Sequence, residues 1–489
     1  MVEPHMLEGL LSKSAAVPWT IFLLPGAMLV GLIWLSYEEW KVNNLKKKPR
    51  YPAMVPGGFF SVLFEFWAVT VADYLLTMVR QHGGTTKVVR VPMAPPGKHF
   101  FVVGDAKVTR RILENPKTQK FLPLYRMFDP ILNGPSFFTT EGPRFRHARK
   151  STNPAFGSNC VANMSRVAQE LTKEWIQDNL ANQKEREMDV AFEMQRLTLR
   201  VIGKVAFNYD LSQEEIDLAQ SKLDSTLKEF IINAQRNPLR KWLPWLIPSV
   251  RHAYHDARQL QKLAAKILRS YDDSKSNKGT VLSCLVNDKE YASDDERIRD
   301  LLVYLSAGYD TTAATIGWTM LELAKNPTEQ DFLRKELQKV PKEESGQNPA
   351  LLRVIRESMR LNPSSGVGSV RENAEEIVLE DGTRMPAQSI CMTCFYVIQR
   401  DGDVFERPDE FVPSRWENPT PEMQRNWITF GAGRRNCQGQ ALANVELYTV
   451  VSQLVTDYQW TVVKEGRREL YGSMRTAGTI LKATKLEQS

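Results

Sequence analysis

The stretch FGAGRRNCQG, from Phe430 to Gly439, decides the fold of this chain. Its glycines allow a tight loop whose backbone can approach a flat cofactor closely. The loop delivers Cys437 to the start of an amphipathic stretch, which predicts a helix over about 438–456. At the N-terminus of a helix, the dipole and free backbone N–H groups stabilise a cysteine thiolate. The motif predicts a thiolate suited to binding iron, and the alternative is a buried free cysteine.

A long helix is predicted upstream of this loop, from Ser293 to Asn326. The sequence SDDE is a capping box in which Ser293 caps the helix and Glu296 occupies its third position. Pro327 ends the helix, because the residue before a proline disfavours helical geometry. The middle of the segment is apolar on nearly all sides, which predicts a helix buried through the core.

Inside this helix lies AGYDTT, residues 307–312. An aspartate followed by a threonine costs free energy in apolar surroundings unless the groups are used. Gly308 weakens the helix, and Thr311 can hydrogen-bond back to a backbone carbonyl, so we expect a local groove. The alternative is a kinked helix whose polar groups are satisfied internally.

These motifs, together with ESMR at residues 357–360 and FRHAR at residues 145–149, resemble the cytochrome P450 family. The family pattern FxxGxRxCxG is matched at Phe430, Gly433, Arg435, Cys437 and Gly439. The resemblance implies a mainly α fold, a helical prism with small β-sheets. It also implies haem b, iron protoporphyrin IX, with Cys437 as the ligand of its iron.

The resemblance also implies roles for other residues. Arg435 and Arg149 would pair with haem propionates, and Arg371 is a further partner on its position alone. The family usually has tryptophan where this chain has Phe145, which lacks an N–H donor, so one hydrogen bond should be missing. Buried charges must satisfy one another, so three side chains form an expected structural lock behind the cysteine loop: Glu357, Arg360 and Arg415. Thr311 would hold dioxygen in the groove, and Asp310 would help to relay protons through water.

Composition narrows the class of protein. The chain has 489 residues, a net charge of +7 and five cysteines, which are too few and too scattered for a disulfide scaffold. Cys391 and Cys394 form a CxxC within an apolar, β-prone run, which favours two strand cysteines over a zinc site. The basic excess fits an anionic membrane surface or an acidic protein partner. No nucleic-acid motif accompanies it, so nucleic acid is not an expected partner.

An N-terminal membrane anchor is predicted over residues 15–37, which carry no charge and are mostly apolar. Basic residues follow it, so the positive-inside rule places residues 1–14 in the lumen and the rest of the chain in the cytosol. A cleaved signal peptide is the alternative. Residues 38–58 form an expected basic, proline-rich hinge, and residues 59–489 a single catalytic domain. We expect a single-pass protein of the endoplasmic reticulum membrane, with another organelle membrane left open.

The domain itself is predicted to be mostly helical from Val108 to Asn326, after strands at Lys87–Met93 and His99–Val103. One segment breaks the pattern: residues 237–250 place tryptophans and aliphatic residues among three prolines. This loop either caps the core or dips into the bilayer.

The resemblance implies a monooxygenase that inserts one oxygen atom of O2 into a lipophilic substrate such as a sterol, fatty acid or terpenoid. Two electrons would come from NADPH through NADPH–cytochrome P450 reductase, with cytochrome b5 as a second candidate partner. Basic residues beside the loop, including Arg434, would meet an acidic reductase. One rival is a haem-thiolate isomerase or dehydratase that acts on oxidised lipids without external O2. Another is a non-catalytic haem binder, such as a gas sensor.

Overall fold

The structure, a computed structural model, describes residues 51–56, 70–95, 97–234, 240, 245–272, 279–341, 345–470 and 472–487. The predicted luminal segment 1–14, the anchor 15–37 and most of the hinge 38–58 lie outside the described residues. None of the helices within these ranges is both long enough and apolar enough to cross a bilayer. Residues 53–55 lie beside the first strand, where the Val55 N–H donates to the Arg90 carbonyl over 3.0 Å.

Helices make up most of the described chain, as predicted. Their bounds in chain order are α1 Val71–His82, α2 Ala106–Glu114, α3 Leu122–Tyr125, α4 Asp129–Leu132, α5 Pro143–Thr152, α6 Ser158–Asn179, α7 Val190–Phe207, α8 Gln213–Leu227, α9 Pro248–Arg269, α10 Val281–Asn287, α11 Asp294–Lys325, α12 Pro327–Gln338, α13 Pro349–Leu361, α14 Phe395–Ile398, α15 Pro421–Asn426 and α16 Gln440–Thr456. A π-helical turn, Lys228–Asn233, continues α8.

The strands form small sheets at the edges of the helical body. They are β1 Val88–Val91, β2 Phe100–Val103, β3 Gln119–Lys120, β4 Glu185–Asp189, β5 Ser369–Glu372, β6 Ile377–Val378, β7 Arg384–Met385, β8 Ile390–Thr393, β9 Tyr458–Lys464, β10 Arg467–Leu470, β11 Met474–Ala477 and β12 Ile480–Lys485. The largest sheet has the order β1-β2-β8-β5-β3, and a second has β4-β12-β9. The predicted strands near residues 87–93 and 99–103 are confirmed, as is the final helix.

The long predicted helix is confirmed as α11, which has 32 residues and is about 48 Å long at 1.5 Å per residue. It is buried at Leu301–Leu305 and again from Thr312 to Leu321. The predicted capping box is wrong: Ser293 is the N-cap but makes no side-chain cap hydrogen bond. The Glu296 carboxylate instead accepts from the Ala292 N–H over 3.2 Å and pairs with an arginine of α5.

The main hydrophobic core surrounds α11 and the C-terminal helix α16. It includes Leu197 on α7, Ile316 on α11, Val450 on α16 and Trp460 on β9, each fully buried. A second core beneath α8, α9 and α10 packs on the N-terminal half of α11. Because α11 belongs to both cores, it places residues 306–311 at the centre of the molecule.

Two other predictions concern the surface and the cysteines. Cys391 lies in β8 as predicted, whereas Cys394 follows the strand and precedes α14. Both are fully buried, and burial raises the pKa of the Cys394 thiol to about 12. Residues 237–239 and 241–244 of the proline-broken loop lie outside the described residues, but Trp245 and Leu246 are 63% and 65% exposed.

Candidate active site

The loop before α16 presents Cys437 on a turn that two backbone hydrogen bonds close. The Cys437 N–H donates to the Phe430 carbonyl over 2.8 Å, and the Gly431 N–H donates to the Ile428 carbonyl over 2.8 Å. Cys437 is exposed in the described structure. Burial raises the pKa of its thiol, while the Gly439 N–H and the Arg149 guanidinium act in the opposite direction. An exposed cysteine on such a loop can line the wall of a ligand cavity.

The glycines of this loop differ in what they do. Gly433 has φ +68°, and a Cβ there would lie 2.1 Å from the Leu113 carbonyl oxygen at the end of α2. Gly433 is therefore required by the chain itself. At Gly439 a Cβ would meet only Phe156 among the described residues, at 3.9 Å. The described residues therefore leave the space that a Gly439 side chain would occupy largely empty.

Phe430 begins the loop and anchors it in the core. Its ring packs edge-on against Trp427 with centroids 5.9 Å apart. Its carbonyl receives the Cys437 N–H, so the phenyl anchor and the cysteine are joined through the backbone.

Three buried cations cluster beside the loop: Arg435, Arg371 and Lys120. Arg435 pairs with Glu141 at 2.8 Å, and its Nε is buried with no hydrogen-bond partner in the described protein. Arg371 lies directly opposite Lys120 in the β3–β5 pair, an arrangement that destabilises a sheet when both residues carry like charge. Burial, together with Arg435 and Arg371, holds the pKa of the Lys120 ammonium well below its usual range, and Glu141 opposes this effect. One carboxylate for three cations leaves a site that attracts anions.

Arg149 lies on the other side of the cysteine. Its guanidinium donates to the carbonyl and to the side-chain oxygen of Asn436, both over 2.7 Å. The structure thus places Arg149 against the residue that precedes Cys437, and its pairing with a haem propionate stays a prediction. Phe145, one turn earlier, lies under the Arg435 guanidinium, 3.1 Å from its ring centroid.

On helix α11, accessible surface remains at Ser306, Ala307, Gly308 and Thr311, whereas Tyr309 and Asp310 are buried. Ala307 is exposed although the helix is buried on either side of it. The Thr311 hydroxyl donates to the Ala307 carbonyl over 2.8 Å, as predicted. The helix is unbroken at Gly308, and the expected local groove stays a prediction. Gly308 instead allows close packing, because a Cβ would lie 2.6 Å from the Ile202 side chain.

Asp310 points away from Thr311 and into a buried polar network. It is 5% exposed and accepts from the Gln195 amide on α7 over 3.1 Å. Burial raises the pKa of its carboxyl, and the nearby Arg475 guanidinium opposes the rise. Arg475 itself binds Asp224 on α8 through two hydrogen bonds of 2.9 and 3.2 Å. Since the Asp224 side chain is 36% exposed, this network reaches from the buried aspartate to solvent.

The predicted lock is formed by Glu357, Arg360 and Arg415. Glu357 and Arg360 are fully buried and make a two-bonded pair, with both hydrogen bonds at 2.9 Å. Arg415 donates to the same carboxylate over 3.0 Å. Sequence reasoning missed two further donors, the Trp416 indole at 2.8 Å and the Val412 N–H at 2.9 Å.

A family model described as Cytochrome P450 matches residues 69–485 of this chain. The chain belongs to the cytochrome P450 family. It is similar to human Cytochrome P450 4F8, at 24% identity over 476 residues and 90% of each chain. It is also similar to Abscisic acid 8′-hydroxylase CYP707A1 of Solanum lycopersicum, at 23% identity over 484 residues, 92% of this chain and 95% of the relative. Mitochondrial sterol 26-hydroxylase of Mus musculus is 32% identical over 216 residues, 41% of this chain and 40% of the relative.

This P450 is therefore a monooxygenase, and haem is its cofactor, which P450 family members bind through a cysteine thiolate. The observed residues fit that group. Among the described residues, the basic side chains of Arg435, Arg371 and Lys120 lie together with the carboxylate of Glu141, and this excess of basic groups suits the two propionates of a haem. Cys437 would hold the iron, and the open side of Gly439 leaves room for a flat ring.

Sequence reasoning missed Lys120 and Asn436. Lys120 belongs to a strand of two residues whose partner lies about 250 positions later, so no local pattern signals it. Asn436 lies within the cysteine motif but at a position that the family pattern leaves variable.

Proposed function

We propose that this P450 uses a haem held by Cys437 to insert one oxygen atom of O2 into a C–H or C=C bond of a lipophilic substrate. The observation that carries the proposal is the accessible face of α11, where the Thr311 hydroxyl lies in an otherwise buried helix. Haem with a thiolate ligand supplies the chemistry that cleaves the O–O bond. The protein's own task is then to place substrate, exclude water and deliver protons.

Proton delivery is assigned to Thr311 and Asp310. The Thr311 hydroxyl can donate to a guest above the haem once it turns from the Ala307 carbonyl. Asp310 holds a proton more readily than an exposed aspartate because burial raises its pKa. The Arg475–Asp224 pair connects its surroundings to solvent. Removing the Thr311 hydroxyl should leave O2 reduction intact but divert electrons to peroxide.

Holding the haem is assigned to four cations. Arg435, Arg371 and Lys120 would bind the propionates, and Arg149 would hold the cysteine loop through Asn436. Gly433 and Phe430 fix the loop, and Gly439 leaves room for the ring. The lock of Glu357, Arg360 and Arg415 stabilises the support beneath it.

The names of similar proteins and the chemistry of particular side chains support the proposed substrate class and partners. The similar proteins include enzymes named for hydroxylation of abscisic acid and of sterols. Aromatic side chains next to the cation cluster, Tyr125, Phe128 and Phe138, pack edge-on against each other and suit an apolar guest. The exposed Trp245 and Leu246 support contact with a bilayer, and the predicted anchor would hold the enzyme on the cytosolic face of the endoplasmic reticulum. Electrons would come from NADPH through a separate reductase, and basic residues such as Arg434 suit an acidic partner.

The test is isotopic. Sterols, fatty acids and terpenoids are first screened by the spin-state change of the haem, and binders are incubated with NADPH, reductase and ¹⁸O2. One ¹⁸O atom in the product supports the proposal. Product that forms without NADPH or O2 would instead identify an isomerase or dehydratase. A failure to consume NADPH with any compound that binds would identify a haem carrier or sensor.

A further inference from the structure

Gln438, the residue after Cys437, has an unusually well-bonded side chain for a position in a loop. Its amide nitrogen donates to the Thr152 hydroxyl and to the Asn153 side-chain oxygen, each over 3.1 Å. Its amide oxygen accepts from the Tyr304 hydroxyl over 3.3 Å. The side chain therefore joins the cysteine loop to the end of α5 and to the central helix α11.

The partners of Gln438 are themselves fixed. Thr152 is fully buried and lies 2.7 Å from the Tyr304 hydroxyl, so the three side chains form a closed triangle of hydrogen bonds. Tyr304 is 8% exposed, and its ring stacks on Phe137 with centroids 5.0 Å apart. The Thr152 hydroxyl also lies 2.7 Å from the Ala148 carbonyl. When its one proton points to the Tyr304 oxygen instead, every side of the triangle has a donor and an acceptor.

Side chains on one face of α5 hydrogen-bond to the two residues that flank Cys437 in sequence. Arg149 and Thr152 are three residues apart and so lie on the same side of the helix. Arg149 binds Asn436, which precedes Cys437, and Thr152 binds Gln438, which follows it. The Cys437 N–H is tied to the Phe430 carbonyl in addition. The sulfur-bearing residue is thus held from both directions along the chain.

We propose that Gln438 is a positioning residue for the thiolate: with Thr152 and Tyr304 it fixes Cys437 relative to α5 and α11. The inference rests on the proposal that Cys437 binds the haem iron. An aliphatic residue at 438 would leave the buried Thr152 and Tyr304 hydroxyls with fewer partners and would free the loop to move. Cys437 would then be held less firmly in the position from which it would bind the iron.

The test measures whether the thiolate binds the haem iron, and it does not depend on enzyme activity. The ferrous carbon monoxide complex of the purified holoprotein has a red-shifted Soret band when a thiolate binds iron, and loses that shift when it does not. We expect Gln438→Leu to lose the red-shifted band in mild urea about tenfold faster than the parent, which corresponds to about 1.4 kcal/mol. Total haem should stay near the parental amount at the start.

A matched control is Gln330→Leu. Gln330 is fully buried and donates to the Leu323 and Trp460 carbonyls over 3.1 and 3.0 Å, at a site in the core formed with β9. With each protein held at the same fraction of its own unfolding midpoint, Gln330→Leu should lose the band at the parental rate. Equal rates for the two leucine variants would overturn the proposal.

Milder variants keep the test open if Gln438→Leu does not fold. Thr152→Val should lose the band faster than the parent, and Thr152→Ser, which keeps the hydroxyl, should not. Tyr304→Phe combined with Thr152→Val should be less harmful than the product of the two single effects, because both remove sides of one triangle. Impairment of Thr152→Ser equal to that of Thr152→Val would count against the proposal. A parent without the red-shifted band would instead overturn the assignment of Cys437.

Discussion

Replacing Glu357 with glutamine should sharply destabilise the protein without changing its shape. The carboxylate accepts five hydrogen bonds of 2.8–3.0 Å, three of them from the guanidinium groups of Arg360 and Arg415. Glu357 and Arg360 are fully buried, so water cannot solvate the Arg360 charge once the Glu357 carboxylate is lost. Removing one partner of a buried ion pair costs about 3–5 kcal/mol because the remaining charge stays uncompensated. We expect a loss of about 4 kcal/mol in the free energy of unfolding, at the middle of that range.

The assay is denaturant unfolding of the holoprotein, followed by circular dichroism and by the Soret band. The matched control is Glu372→Gln: Glu372 pairs with Lys98 at 2.7 Å, but the two side chains are 32% and 31% exposed. Such a pair contributes about 0–1 kcal/mol. If Glu357→Gln costs no more than Glu372→Gln, the reasoning about the lock is wrong. If Glu357→Gln yields no folded protein, Arg415→Lys tests the same site, because it keeps the charge but loses the planar fork.

Four further outcomes are expected. Burial alone would raise the pKa of Glu357, but its arginine partners lower the pKa below the ordinary 4.5. The stability difference between the parent and Glu357→Gln should therefore persist above pH 4.5 and shrink as the pH falls below 4.5. Unfolding at a series of pH values measures it. Gly433→Ala should abolish haem incorporation, because its Cβ would overlap a backbone carbonyl. Gly439→Ala should fold and only weaken haem binding. The ratio of Soret to protein absorbance measures both effects. Thr311→Ala should consume NADPH at a near-parental rate while the ratio of product to NADPH falls about a hundredfold, the lower end of the usual contribution of a proton donor. Unchanged coupling would remove its assigned role. Lys120→Met should lose haem to apomyoglobin about tenfold faster, since one charge-assisted hydrogen bond is worth roughly 1.5–3 kcal/mol, and an unchanged rate would place the propionates elsewhere.

The parts of the site that lie close together in sequence could be predicted. The ESMR spacing places Glu357 and Arg360 on one face of α13, and the glycine-rich motif places Cys437 immediately before α16. The long helix was predicted within one residue at each end, because its start signal and the following proline are both local. These signals need only the period and the ends of a helix.

The parts that depend on distant neighbours could not be predicted. Lys120 acquires its role only when β3 pairs with β5, and Trp416 acquires its role only when its loop closes over Glu357. Gly308 was interpreted as a weak point of the helix, but the space it provides is taken by Ile202 on α7. In the same way, Glu296 was drawn from the expected capping box by an arginine on α5. Tertiary contacts override local propensity at such positions.

The central claim is that the Cys437 thiolate binds haem iron, and the absorption spectrum of the ferrous carbon monoxide complex tests it most directly. The purified parent should show the red-shifted Soret band of thiolate ligation. Cys437→Ala should lack it, and Cys160→Ser, which changes a cysteine on α6, should retain it. A parent spectrum like that of a histidine-ligated globin, or a Cys437→Ala protein that keeps the red-shifted band, would contradict the account.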